Sequence, residues 1–437
     1  MVTCMTHVSE TFINENIIEQ EIPTSNFDNF DNEPPCFVAV HIGAGYHSAS
    51  KTGAYRNLCE KICFDVMGFL KQGYSARTAC ATAVALLENS PLTNAGIGSN
   101  LTLDEKVECD ASIMDKNGFG SVGAISNIKN PIMVSLSLLE AQIKGTLSLG
   151  RIVPCMLVGE GAKKWAIENN LEEVDDNYLK TEAMIKTHKH YKQKLDSFHQ
   201  DENSFIQNEC DEKKREDETQ RLDTVGAVCL DKNGNFASAA SSGGILLKHP
   251  GRVGHASMFG CGCWVDQDIE SNQKENNSIG ICTTGCGEYI IKTLFAKECS
   301  QHILKNLDKI DYDLNEFFKK KFFGSPLLKK VQDKLIGTLI CKLSTYEKNH
   351  LTEKTLELIV AHTTPSMCFG YMSSNMHKPT SVMSRMNESN TGSESVLITN
   401  FNFNLSPINW DGDNSNLEKS ENIDVDVYSG VKRTRTD

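Results

Sequence analysis

The strongest constraint on how this chain folds lies where residue 223 meets residue 224. Between Asp201 and Asp223, 13 of 23 residues are charged. The apolar residues there are too sparse to bury a face, so the segment reads as solvated and mobile. It gives way abruptly to Thr224 and the run Val225-Gly226-Ala227-Val228-Cys229-Leu230. Asp231-Lys232-Asn233-Gly234 then leads into Asn235-Phe236-Ala237-Ser238-Ala239-Ala240-Ser241. Asn-Gly between two β-prone runs is a strong signal for a tight hairpin. Glycine and alanine along both strands let a neighbouring layer come close. The fold must therefore bury this hairpin while the segment leading into it stays outside.

The rest of the chain supplies layers to bury it. Residues 1–35 are polar and end in Pro34-Pro35, so they read as a disordered leader. Cys36–Ile42 is a continuous apolar run of the kind a buried strand shows, and it closes in Gly43-Ala44-Gly45. A helix is expected from Tyr55 to Leu70, where Leu58, Ile62, Val66, Phe69 and Leu70 recur at helical spacing, and Gly73 stops it. Ser75 is placed to cap a second helix carrying Ala79, Ala83, Leu86 and Leu87. Strands are expected at Val107–Met114, Gly120–Ile125, Ile279–Thr283, Leu335–Leu343, Thr355–His362 and near Val396–Phe401. Helices are expected at Gly161–Asn169 and, as one long element, at Glu288–Leu307. The mobile loop is taken as about 190–223 and a disordered tail as 406–437. No internal repeat is present. Strands on both sides of the loop with helices flanking them give an α+β class, two stacked sheets between helical layers. Residues 36–223 and 224–405 form two parts of one domain.

Composition narrows the function classes. The net charge is −13, against the basic surface that general nucleic-acid or anionic-membrane binding requires. Sixteen cysteines in 437 residues are scattered through apolar runs (Cys59, Cys63, Cys80, Cys229, Cys282, Cys341), which suits a reducing compartment better than a disulfide scaffold. Met1–Asn16 has neither the basic nor the apolar region of a secretory signal. No stretch of about 18 uninterrupted apolar residues is present to span a membrane.

Thr224 is the chemical focus. Inside a chain its hydroxyl is a weak nucleophile, and a β-branched residue opening a strand is also an ordinary structural choice. A cut of the Asp223–Thr224 bond changes that. The hydroxyl and a new α-amine then share one residue, and an amine with a pKa of about 7.7–8.0 can serve as general base.

Several motifs extend this reading. They are Leu222-Asp223-Thr224-Val225-Gly226-Ala227-Val228, Ser241-Ser242-Gly243-Gly244, Lys248-His249-Pro250-Gly251-Arg252-Val253-Gly254 and Thr283-Thr284-Gly285-Cys286-Gly287-Glu288. Upstream stand His41-Ile42-Gly43-Ala44-Gly45-Tyr46-His47-Ser48, Asn94-Ala95-Gly96-Ile97-Gly98-Ser99-Asn100 and Glu108-Cys109-Asp110-Ala111-Ser112-Ile113-Met114-Asp115. In this order they resemble the plant-type asparaginase group of N-terminal-nucleophile hydrolases, and within it the threonine aspartases (taspases). The resemblance covers roughly residues 36–372.

It implies an αββα sandwich, self-cleavage before Thr224, and α and β chains that stay associated, typically as (αβ)₂. Thr224 would be the nucleophile and Ser242, where the family often has threonine, would orient it. Ser242 also reads as a polar strand end. The Thr284 hydroxyl and the Gly285 N–H would hold the oxyanion, while Gly285 and Gly287 also suit a plain strand-to-helix turn. Arg252 matches the arginine that grips a substrate carboxylate. The aspartate that holds a free α-amine in the asparaginases is replaced here by His255, which reads as a wall residue and removes a charge-assisted contact worth about 1.5–3 kcal/mol. With the two carboxyl groups of aspartate exchanged, Arg252 would take the side chain and Thr224 would face the α-carbonyl. That describes an endopeptidase cutting after an internal aspartate. Asn100 is a candidate for positioning, Gly45 for close backbone approach and Lys51 for a second cation, although a solvated lysine explains Lys51 too.

Protein substrates follow, and the resemblance implies nuclear transcription regulators and a nuclear and cytoplasmic location. No metal or organic cofactor is expected. Cys261, Cys263 and Cys286 lack a second Cys/His pair at finger-like spacing and read as buried thiols. Lys189–Lys194, Lys213-Lys214-Arg215 and Lys432–Arg435 are basic clusters that suit either nuclear import or a solvated surface. The alternatives are a small-molecule asparaginase or isoaspartyl peptidase, and a non-catalytic binding protein.

Overall fold

Alternation along the first strand sorts the whole molecule into layers. A computed structural model describes residues 34–200, 223–267, 275–305, 310–348, 351–391 and 394–405. The strands are β1 (Phe37–Gly45), β2 (Cys109–Asp115), β3 (Gly118–Ile125), β4 (Met156–Val158), β5 (Val225–Leu230), β6 (Phe236–Ser242), β7 (Cys263–Gln267), β8 (Glu275–Gly285), β9 (Ile336–Lys348), β10 (Leu351–His362), β11 (Ser366–Ser373), β12 (Thr380–Arg385) and β13 (Leu397–Asn404). The helices are α1 (Thr52–Lys71), α2 (Ala76–Glu88), α3 (Pro131–Lys144), α4 (Gly159–Glu168), α5 (Glu182–Gln200), α6 (Gly287–Thr293), α7 (Phe295–Lys305) and α8 (Ile310–Phe317).

One sheet has eight strands in the order β12-β11-β1-β5-β6-β2-β3-β4, and the other has five, β13-β10-β9-β8-β7. Pairing is antiparallel except between β3 and β4. Val38, Val40 and Ile42 of β1 pack outward with Cys59, Ile62 and Val66 of α1, Ala79 and Ala83 of α2, and Leu136 and Leu139 of α3. Phe37 and Ala39 point the other way, into an inter-sheet core with Val228, Phe236, Cys282, Leu339 and Leu358. A third core lies beyond the smaller sheet, where Ile279, Ile281 and Ile340 meet Phe295, Ile303 and Phe317. The result is helix, sheet, sheet, helix, as expected for an αββα sandwich.

Local chemistry explains why the elements begin and end where they do. The Thr78 N–H donates to Ser75 Oγ at 3.3 Å, so Ser75 caps α2. At the hairpin between β5 and β6, Gly234 takes φ +78. There Asp231 Oδ1 accepts the N–H groups of Asn233 and Asn235 at 2.9 and 3.0 Å. The described cysteines are free thiols.

Two expectations are corrected. The single helix over 288–307 is broken, with Leu294 at φ +45 between α6 and α7. A straight helix would set Ile290 and Phe295 about 140° apart, yet both are fully buried, and the break turns both inward. The loop expected from residue 190 is instead helical through Gln200. Although α5 is polar over most of its surface, Met184 is buried and His188 Nε2 lies 2.9 Å from the Thr102 carbonyl, which docks one side. An i,i+4 pair, Lys192–Asp196 at 3.2 Å, supports the exposed side. The leader before residue 34, residues 201–222 of the charged segment and the tail from 406 lie outside the described residues, as do two basic clusters.

Glu88, at the end of α2, sits fully buried beneath β6. Ser241 Oγ donates to it at 2.6 Å and the Ile132 N–H at 3.1 Å. Burial pushes its carboxyl up to about 7 despite these donors. The unfolded chain has an ordinary carboxylate near 4.3, so the folded state binds the proton more tightly. That contribution is fully present at acid pH and is lost as pH rises towards 7. Glu88→Gln removes it. In a Thr224→Ala background, urea unfolding should show the variant gaining on its parent by about 3 kcal/mol from about pH 4.5 to about pH 7.5. A difference that does not change with pH would contradict the assignment.

Candidate active site

Thr224 stands at the mouth of β5, which is hydrogen-bonded between β1 and β6 in the middle of the larger sheet. Val225, Ala227 and Cys229 face the helices, so Thr224 and Gly226 face the space between the sheets. Thr224 Oγ1 donates to Ser242 Oγ at 3.1 Å. The Gly244 N–H donates to the same Ser242 oxygen at 3.0 Å. Ser242 thus accepts twice and keeps its own hydrogen for a third partner, such as the amine that a cut would create.

Of the expected residues, Thr224, Ser242, Arg252, Gly285 and Gly287 line one open cleft of ≈ 270 Å³, together with Asn94 and His255. Thr284 lies one position back, and its Oγ1 accepts the Ala44 N–H at 3.2 Å. Asn100 meets the backbone beside Ser242: its Nδ2 and that of Asn94 each donate to the Gly244 carbonyl at 2.8 Å. The Gly243 N–H donates to the Asn94 carbonyl at 2.7 Å, fixing the strand end that carries Ser242.

The other two expected residues lie elsewhere. The Gly45 carbonyl accepts Ser366 Oγ at 3.0 Å, and Lys51 is exposed after β1. Neither lines the cleft. It is Gly43 that makes the close approach: at φ +117, any Cβ there would overlap Asp223 Cα.

The cationic end of the cleft is already paired. Arg252 Nε and Nη2 donate to Glu288 Oε1 at 2.9 and 2.7 Å. Burial opposes the charge on Glu288, but the Arg252 charge and hydrogen bonds outweigh it and hold the carboxyl below its usual range. A substrate carboxylate must therefore compete with Glu288. In the intact chain the Asp223 carboxylate does not reach Arg252; its Oδ1 lies 3.8 Å from His47 Nε2.

The two other histidines near the nucleophile are buried. Burial, with the Arg252 charge adding to it, brings His255 down to about 4, and its Nε2 lies 3.3 Å from the Thr283 carbonyl. Burial and the neighbouring His255 bring His41 down to about 3, with its ring against Gly226. Both are neutral at physiological pH, which suits walls and not bases. The loop bearing Arg252 is held by Asp110, whose Oδ2 accepts the Gly254 N–H at 2.7 Å and whose Oδ1 accepts the Ala124 N–H at 2.9 Å.

Asn94, Asp110 and Glu288 all fall within quoted motifs but were not singled out. The tight glycine-containing loop Asn94–Asn100, which opens on this residue, was the available signal for Asn94. Cys261 and Cys263 are buried thiols pushed up to about 12 by burial. Among the described residues no three His, Cys, Asp or Glu side chains come together as a metal site would need.

Ser242→Ala should lower turnover per processed chain by about 10²-fold, the range for losing a positioned proton-handling group. Thr284→Val should cost about 10²–10³-fold as an oxyanion donor is lost. Steady-state hydrolysis, normalised to the cut fraction, checks both; wild-type turnover in either variant would remove that residue from the machinery.

Comparison with known proteins places this geometry. The profile of the asparaginase family (Asparaginase_2) matches residues 35–318. The chain is 33% identical over 266 residues to the isoaspartyl peptidase of Escherichia coli strain K12, covering 59% of this chain and 74% of that protein. It is 35% identical over 270 residues to the isoaspartyl peptidase/L-asparaginase of Bos taurus, covering 61% and 76%. With the αββα layers and a threonine at the mouth of the central strand, these matches make the chain a member of the asparaginase family of N-terminal-nucleophile hydrolases.

Proposed function

We propose that this chain cuts itself between Asp223 and Thr224 and then hydrolyses aspartyl bonds with Thr224 as nucleophile. In the first stage the Thr224 oxygen attacks the Asp223 carbonyl carbon and the C–N bond breaks. The hydroxyl proton ends on the departing nitrogen, leaving an ester and a new α-amine. Water then hydrolyses the ester and frees Asp223 as a carboxylate. In the second stage the amine draws the proton from Oγ1, the substrate carbonyl is attacked, and the Thr284 hydroxyl with the Gly285 N–H receives the oxyanion. Water hydrolyses the acyl-enzyme. The two chains would stay together, since Phe37–His41 of β1 pairs along Gly226–Leu230 of β5 across the cut. Assembly as (αβ)₂ and work in the nucleus and cytoplasm belong to the same proposal.

Two readings of the substrate divide at His255. The relatives are named isoaspartyl peptidase and L-asparaginase, which favours a small substrate with a free α-amine. That amine needs an anionic partner, and where the asparaginases place an aspartate this chain has a buried, neutral imidazole. A peptide nitrogen needs no counter-ion. We therefore take as the leading function an endopeptidase that cuts protein chains after aspartate, with Arg252 exchanging Glu288 for the aspartate side chain. The buried His255 side chain in the cleft wall is the observation that carries it.

The discriminating assay offers the processed enzyme a peptide with one internal aspartate, free asparagine and a β-aspartyl dipeptide. Cleavage after the aspartate, with little ammonia from asparagine, is expected. His255→Asp should raise kcat/KM for asparagine by about 10- to 100-fold, the worth of one charge-assisted contact. Rapid asparagine or β-aspartyl turnover by the wild-type enzyme, with the peptide intact, would establish the other reading.

A further inference from the structure

We propose that His47 is the positioning residue for self-cleavage: it holds the Asp223 side chain in a site separate from the Arg252 cleft, through a buried imidazole–carboxyl contact. This rests on the self-cleavage proposed above. Neither His47 nor Asp223 lines the Arg252 cleft, yet both are buried and their side chains meet at 3.8 Å.

The hydrogen bonds around His47 fix its tautomer. Ser366 Oγ has one hydrogen and donates it to the Gly45 carbonyl at 3.0 Å. Its oxygen also meets the His47 N–H at 3.0 Å and His47 Nδ1 at 2.9 Å. With its hydrogen committed, Ser366 accepts from Nδ1, so Nδ1 carries a proton. A neutral ring would then turn the bare lone pair of Nε2 towards Asp223 Oδ1, acceptor against acceptor. One further proton makes the contact attractive, as imidazolium with carboxylate or as imidazole with carboxylic acid.

The surroundings hold both partners still. The edge of Tyr55 from α1 meets the His47 ring, with centroids 5.2 Å apart. From β12, Arg385 Nη1 donates to the His47 carbonyl at 3.2 Å. Asp223 favours a proton on the ring and the Arg385 guanidinium opposes it; Tyr55 and Ser366 add no charge. On the other side Gly43 leaves Asp223 room that any side chain would fill. With its carboxyl anchored and its Cα wedged on Gly43, Asp223 presents its carbonyl carbon to Thr224 in a limited range of orientations, which is how a positioning residue accelerates an intramolecular attack.

The test follows self-cleavage of the full chain by intact mass against time. His47→Leu should slow the cut by about 10- to 100-fold, the worth of one charge-assisted contact. Once Asp223→Asn has slowed the reaction, adding His47→Leu should slow it no further, because the two act through one contact. His47→Gln keeps an N–H donor at every pH, so it should cleave near the wild-type rate at low pH and lose the wild-type fall at alkaline pH. Wild-type kinetics in His47→Leu, or equal slowing in the parent and Asp223→Asn backgrounds, would overturn the assignment. Melting of each variant in a Thr224→Ala background shows whether it folds. If His47→Leu does not, the pH profile of His47→Gln decides, and an unchanged alkaline fall overturns the proposal. A wild-type chain that stays whole removes the self-cleavage reading itself and is recognised separately, since no variant is needed to see it.

Discussion

Val225–Leu230 is hydrogen-bonded along both edges, to β1 and to β6, and the site takes its position from that double ladder. The register that pairs Val225 with Ser241 sets Ser242 within reach of Thr224. The same register on the other edge pairs His41 with Gly226 and brings the Gly43-Ala44-Gly45 turn alongside the junction. From the facing sheet, Thr284 at the end of β8 takes the Ala44 N–H. Thr224, Ser242 and Thr284 therefore take their places from three strands, β5, β6 and β8, none of which could shift by one residue without reversing every side chain between core and helices. This is placement by rigid elements, the condition under which small differences in distance translate into rate.

Charge around the nucleophile is arranged with similar economy. His41 and His255 are buried and neutral, and Arg252 and Glu288 neutralise one another. In the intact chain the Thr224 hydroxyl meets the Ser242 hydroxyl, and in the proposed scheme a base would arrive only with the cut that creates the amine. Activation and the supply of the base are then one event. In the proposed reading substrate choice is a matter of exchange: an incoming carboxylate would have to displace Glu288 from Arg252, whereas an ammonium would meet the buried His255 imidazole.

Much of the sandwich was legible in the sequence because short-range physics carried it. Continuous apolar and β-prone runs marked the central strands, Asn233-Gly234 the hairpin and Ser75 a helix cap. The family resemblance carried by the motifs brought Thr224, Ser242, Arg252 and Gly285 into one site in advance. What stayed hidden depends on partners distant in the chain. The polar helix α5 exists because Met184 and His188 dock on other elements, which its own composition does not disclose. The break at Leu294 follows from where Phe295 must be buried. Arg252 reads as a free cation until Glu288 is seen folded onto it, and nothing near His47 announces Asp223 as a neighbour. Asn100 was a candidate for positioning, and its Nδ2 donates to the Gly244 carbonyl. Gly45 ends β1 and Lys51 lies beyond it, whereas Gly43 is the residue that touches the junction.

The central claim is that Thr224 becomes a chain terminus by the protein's own action. Intact mass and N-terminal sequencing of the purified wild-type chain, beside Thr224→Ala, test it most directly. Two fragments from the wild type, the second beginning Thr-Val-Gly-Ala, with the variant whole, is the predicted result. A wild-type chain that remains intact on prolonged incubation, or a Thr224→Ala chain cut at the same bond, would contradict it.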